Sequence, residues 1–322
     1  MGSDAFKAKL ARVEALRSVD NVDVLLAGLH KALNDRSNYV VAKAAAIAGD
    51  RYVIAAIPDL IAAYNRLFEN PVANDRLVLG KQAIARALKD LDYRDAAPFL
   101  RGLAHIQLEP VWGGSADAAG GLRATCAHAL VASDIDGMML LQVLIDHLVD
   151  SDKTVRIEVV RAIAQVGGHE SMLVLRVKTL AGDAEAEVSG ACFEALLARE
   201  PRESVPFVER FLAVDGAVAF EAVSALGAAR IPEALTVVRQ FWETDISLEL
   251  RRAIVFSCAA SALAEAAEFL LSIVADRRGD LAESALSALG ASRFRHDVRE
   301  RARQAAADAD VLAAYTRAFE PA

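Results

Sequence analysis

Apolar and small residues recur along this chain in one spacing. In the stretch HLVDSDKTVRIEVVRAIAQVGG, Val155, Val159, Ala162 and Ile163 stand at offsets 0, 4, 7 and 8. Those offsets share one face of an α-helix, so the stretch predicts an amphipathic helix. Asp150 lies five residues before Val155. Thirty-three residues on, Asp183 precedes Val188 by the same five, with Cys192, Ala195 and Leu196 following at the same offsets. Thirty-three residues back, Asp117 precedes Leu122, followed by Cys126, Ala129 and Leu130.

The pattern extends outward. Asp35 leads to Val40, Asp75 to Gly80, Asp245 to Leu250 and Asp276 to Leu281. One unit departs: Val218 anchors Ala222, Ala225 and Leu226, but Asp215 lies only three residues before it. Each of these helices follows a second amphipathic stretch, such as AIPDLIAAYNRLF, SVPFVERFLAV or EALTVVRQFW. Pro58, Pro98, Pro206 and Pro232 sit near the starts of those stretches. A first helical turn tolerates proline because its N–H has no intrahelical partner. The unit is therefore helix A, short turn, helix B. One such pair cannot bury its apolar face alone, so the pairs are expected to stack around a continuous core. The prediction is an all-α chain, an α-α superhelix: one right-handed solenoid of about eight hairpins across residues 20–292. Segments 1–19 and 293–322 read as its capping ends, within a single domain.

Composition supports this class. The chain has 322 residues, of which 54% are hydrophobic and only 6% aromatic, which disfavours a β-sandwich or barrel and excludes a disordered chain. The start is charged throughout, with no apolar segment of a secretory signal. The longest uncharged apolar stretch, residues 253–264, is too short to span a bilayer, which takes about 20 residues. Three cysteines without framework spacing read as reduced core residues of a cytoplasmic protein.

The Asp-x4-Val-Arg stretch, the small residues after it and the early helix A proline resemble the HEAT family, specifically the HEAT-like repeats named after phycobilisome lyases. The resemblance spans roughly residues 20–292. It implies helix B on the concave side and a protein-binding scaffold. The family also hosts bilin lyases and DNA glycosylases, so fold alone does not give function.

Candidate chemistry is sparse. Each repeat Asp stands where a carboxylate caps the N-terminus of helix B. The residue after each anchor reads Val41, Lys81, Arg123, Arg156, Ser189, Ala219, Arg251 and Ala282. Three consecutive units thus set Lys81, Arg123 and Arg156 at equivalent positions, about 10 Å apart if helices pack normally. Either each cation pairs with a neighbouring unit's Asp in a structural ladder, or the three form a stripe that binds an acidic segment of a protein partner. The turn HIQLEPVWGGSADAAGG is longer than its counterparts and carries Trp112, read either as an interface anchor or as a cover over the helix ends. Trp242, in a helix A stretch, reads as core or convex packing. Lys81, Trp112, Arg123 and Arg156 are the candidate partner-binding set.

No cofactor or metal is indicated. Gly80-Lys81 lacks the first glycine and the hydroxyl residue of a phosphate loop, and there is neither HExxH nor CxxC. The net charge of −8 argues against nucleic acid as a partner. It is uneven: residues 1–161 carry 19 Lys and Arg against 20 Asp and Glu, the rest 17 against 24. The leading expectation is a non-catalytic scaffold. The alternative is a HEAT-like enzyme, of bilin-lyase type or of glycosylase type with Trp112, Asp117 and Arg156 as its set.

Overall fold

Four of the repeat aspartates act through the same short turn. Asp35, Asp117, Asp150 and Asp183 each accept a hydrogen bond from the backbone N–H two residues on, at Ser37, Ala119, Asp152 and Glu185. This Asx turn orders the residue just before helix B rather than reaching the first helical turn. Asp75 reaches past the start, accepting from the N–H groups of Gly80 and Lys81 at 2.7 and 2.9 Å. The departing Asp215 lies outside the described residues.

The computed structural model describes residues 2–214, 216–276, 279–308 and 310–320, with side chains from Phe6 onward. The protein is all-α apart from one short hairpin. Its contacts divide it into two compact units, Met1–Val166 and Gly167–Ala322.

The first unit begins with α1 (Gly2–Glu14), followed by α2 (Val22–Leu33), α3 (Asn38–Asp50), α4 (Ile57–Leu67), the single turn α5 (Pro71–Asn74) and α6 (Leu79–Asp90). Then come α7 (Ala97–Leu103), β1 (Leu108–Val111), β2 (Gly114–Asp117), α8 (Gly120–Val131), α9 (Gly137–Asp146) and α10 (Lys153–Val166). The B helices α3, α6, α8 and α10 stack in sequence, each on the next. Their anchor-face residues, among them Ala44, Ile84, Cys126 and Val159, are fully buried.

The second unit runs α11 (Gly168–Ala181), α12 (Ala186–Arg199), α13 (Pro201–Glu209), α14 (Ala217–Ala228) and α15 (Pro232–Trp242). It continues through α16 (Leu248–Ala260), α17 (Ala264–Ala275), α18 (Gly279–Ala291), α19 (Arg299–Asp308) and α20 (Leu312–Phe319). Here α12, α14, α16 and α18 stack in turn, and α20 closes on α18 with Tyr315 and Phe319 buried. Trp242 is core as expected, edge-on to Phe269 at 5.5 Å. Pro58, Pro98 and Pro232 occupy first-turn positions, whereas Pro206 lies inside α13, whose first position is taken by Pro201.

Among the described residues no helix is long and apolar enough to cross a membrane.

Candidate partner-binding site

The long turn between α7 and α8 is a β-hairpin rather than a loop. Leu108 pairs with Asp117 and Val111 with Gly114, leaving Trp112 and Gly113 as a two-residue connection. Gly113 has φ +88°, a conformation that a residue without Cβ adopts at little cost. Trp112 is fully exposed at the tip, and Ile106, Leu108 and Val111 are each more than half exposed. The indole does not fold back over the helix ends.

A lone two-stranded hairpin is marginal in water. This one is fastened at its base by buried polar groups. Gln107 is buried and donates from Nε2 to the Asp75 carbonyl at 2.8 Å and to Glu109 Oε1 at 2.6 Å. Its Oε1 accepts from Lys81 Nζ at 2.7 Å. Lys81 in turn lies 3.6 Å from the Asp75 carboxylate and 5.0 Å from the centroid of the Phe68 ring. Asp117 accepts from the Gln107 and Ala119 N–H groups, closing the base from the other strand.

The same network holds an unusual backbone. Leu77 and Val78 both lie in the left-handed region, at φ 59° and 57°. For a non-glycine residue that costs on the order of 1–3 kcal/mol, and a β-branched valine is disfavoured most. The Leu77 N–H donates to Glu109 Oε1 at 2.6 Å, and Val78 N–H to the Asp75 carbonyl at 3.0 Å. Asn38 Nδ2 holds the Arg76 carbonyl at 2.8 Å. The hairpin and the preceding repeat therefore constrain each other.

The predicted stripe is buried. Lys81 is 0% exposed, Arg123 2% and Arg156 8%, so none of the three faces a partner. Arg123 bridges Asp117 of its own repeat, at 2.6 Å, and Asp150 of the next, at 2.8 Å. It also donates to the His105 carbonyl at 3.0 Å. Arg156 Nη1 donates to the Asp150 and Ser151 carbonyls at 2.7 and 3.3 Å. For Arg123 this is the ladder arrangement, and the cause is geometric: the position after the anchor points along the stack into the turns. The glycosylase-like set is not brought together either. Asp117 and Arg156 are held inside these turns while Trp112 stands at the hairpin tip. What α6 does present to solvent is Leu79, Arg86 and the pair Lys89–Asp90, none of which was a candidate in the sequence.

Burial shapes the charges. It pushes Lys81 below its ordinary value, against the pull of Asp75 and Glu109. It lowers His105 as well, which favours a neutral ring beside Gln107. Burial alone would raise Asp117 and Asp150. For Asp117 the N–H groups of Gln107 and Ala119, then Arg123, outweigh it; for Asp150, Arg123 does so first. Both carboxyls end below the usual range. Among the described residues no group of three His, Cys, Asp or Glu side chains is placed to hold a metal ion.

No family model matches the chain, and no curated protein does. Among solved structures it is similar to human deoxyhypusine hydroxylase in complex with glycerol, at 18% identity and a TM-score of 0.30, over 80% of this chain and 90% of that one. It is similar also to an engineered protein, at 16% identity and a TM-score of 0.34, over 98% of this chain and 94% of that one. Superpositions this loose carry no residue correspondence, so the functional reading rests on this chain's own groups.

Proposed function

We propose that this protein is a non-catalytic, HEAT-like scaffold that captures a protein partner, with Trp112 as the anchor of the contact. The observation that carries the reading is a fully exposed indole on a hairpin whose base is fixed by buried, hydrogen-bonded charges. Burying ionic groups costs several kcal/mol each before their partners compensate. Here that cost goes into holding the hairpin in one place. A pre-positioned tryptophan loses little freedom on binding and brings a large apolar surface. Val111, next to it in sequence, is exposed as well, and Leu108 and Ile106 are exposed further down the hairpin. The contact is therefore apolar at its centre. An acidic partner segment, expected from the cation stripe, loses its basis because those cations are spent inside the fold.

The test is affinity capture from the native host's lysate by wild type and by Trp112→Ala, matched for helicity and melting. A protein enriched by wild type and lost from the variant supports the reading. Equal enrichment by both proteins overturns it.

A further inference from the structure

In the second unit, several aromatic rings are covered by the chain's own arginines. Arg176 lies 4.1 Å from the Phe207 ring, Arg251 4.9 Å from Trp242 and Arg239 5.6 Å from Phe269. Phe220 on α14 and Phe256 on α16 are different. They are 44% and 52% exposed, and among the described residues no cation stands over either ring. Both line one groove of ≈ 530 Å³ on the outward faces of α12, α14 and α16. Phenylalanine there breaks the polar face of an amphipathic helix, which folding does not require.

Glu194 and Glu249 line the same groove, and Glu221 follows Phe220 in α14. The Glu221 carboxylate sits over Gly190 of α12, where a Cβ would fall 2.3 Å from its Oε2. Among the described residues Glu194, Glu221 and Glu249 have no ion-pair partner. Arg252, which also lines the groove, is engaged by Asp280 at 3.7 Å. Burial raises the Glu221 carboxyl above its ordinary value, and Glu187 and Glu194 add to the rise. Glu194 and Glu249 thus outnumber Arg252 in the lining, leaving the groove with an excess of negative charge.

We infer that this groove binds a Lys/Arg-rich segment of a protein partner. The charge complementarity is specific in form. A long cationic side chain lays its methylenes on an apolar ring and its charged head among carboxylates. The chain's own Arg–Phe pairs already set a guanidinium over an aromatic ring, a cation that Phe220 and Phe256 lack among the described residues. The inference uses a surface separate from Trp112 and goes beyond the contact proposed there.

The experiment uses the full chain and a labelled peptide of about eight residues with alternating Arg and Ala. That length spans the roughly 20 Å across three packed helices. Binding is read by fluorescence anisotropy at about 0.15 M salt, where long-range attraction is screened. The wild type is expected to bind it and to ignore the same peptide with Glu in place of Arg. Phe220→Ala/Phe256→Ala and Glu194→Gln/Glu221→Gln are each expected to weaken binding about tenfold. Phe220, Phe256 and Glu194 are exposed and Glu221 is half-buried, and circular dichroism checks that the variants fold. Trp112→Ala is expected to bind the peptide as the wild type does, so failure here and failure of the Trp112 reading are separate. No binding to wild type, or equal binding by the Phe and Glu variants, overturns the inference. So does equally tight displacement by free spermine, which would make the groove a polyamine site.

Discussion

The Arg123 guanidinium forks onto the Asp150 carboxylate, Nε to Oδ2 at 2.8 Å and Nη2 to Oδ1 at 2.9 Å. One residue from the third repeat thereby clamps the turn of the fourth, while Nη1 of the same group holds Asp117 at 2.6 Å. Planar, two-pronged contacts of this kind are strong and directional. The arginine ties successive turns together along the edge of the first unit.

Removing it should be costly. Arg123→Ala leaves two carboxylates without their cation, and loss of one member of a buried pair costs about 3–5 kcal/mol. Urea titration followed by circular dichroism should show the loss in the first unit. Arg123→Lys keeps the charge but not the fork, and an intermediate loss is expected. A midpoint unchanged in the alanine variant would contradict the clamp.

Acid should weaken the same clamp. Asp117 and Asp150 are held below the ordinary value of 3.8 in the folded chain. The unfolded chain therefore takes up their protons first as pH falls. Their contribution is complete above the unfolded value and disappears as pH drops through the lower folded values. Wild-type stability should fall with decreasing pH below about 4, and Arg123→Ala should show a shallower slope there.

The two tryptophans should report opposite environments. Trp112 is fully exposed, whereas Trp242 is 6% exposed against Phe269. With Trp242→Phe, the remaining emission should be red and freely quenched by acrylamide. With Trp112→Phe it should be blue and shielded. Trp112→Ala should change stability by no more than about 0.5 kcal/mol, as at most surface sites. A shielded Trp112 in the free protein would refute the displayed tip.

Glu221→Gln should stabilise. A carboxyl raised in the folded chain means the fold opposes its ionisation, so stability falls as pH rises from 4.5 through the folded value. Gln removes that penalty at neutral pH. A gain of about 0.5 kcal/mol, or on the order of 1–2 °C in Tm, is expected in a calorimetric scan. A lower Tm would show that the carboxylate has a stabilising partner.

Cys126, Cys192 and Cys258 are free and buried, and burial pushes each thiol up to about 12. Ellman's reagent at mild alkaline pH should label none in the native chain and all of them in guanidinium. Rapid native labelling at any of the three would place that helix at the surface.

The helical repeat was open to reading because period and burial coincide in it. Val155, Val159, Ala162 and Ile163 follow one spacing, and all four are fully buried. The hairpin was not, because its support comes from residues about 30 positions away. Nothing local to Gln107 or Glu109 announces that Lys81 and the Leu77 N–H will meet them at 2.7 and 2.6 Å. The direction of Lys81, Arg123 and Arg156 was likewise invisible: a cation beside a buried anchor points outward or into the turns according to tertiary packing alone. Phe220 and Phe256 did leave a signal, as large apolar residues on the polar side of a helix, and a search limited to the position after each anchor missed it.

The hairpin is also not a detachable part. Its base supplies Gln107 to Lys81 and Glu109 to a backbone that is otherwise disfavoured. Excising residues 107–118 would leave the buried Lys81 ammonium with only its longer contacts to Leu67 and Asp75, and a kinked entry to α6 without its Glu109 support. Grafting the same residues onto another repeat would deliver a floppy ribbon, since its seat is built from Asp75, Leu77 and Lys81. Any chimaera that keeps the hairpin must carry the repeat before it as well, and evolution of the tip is free only where the seat is left alone.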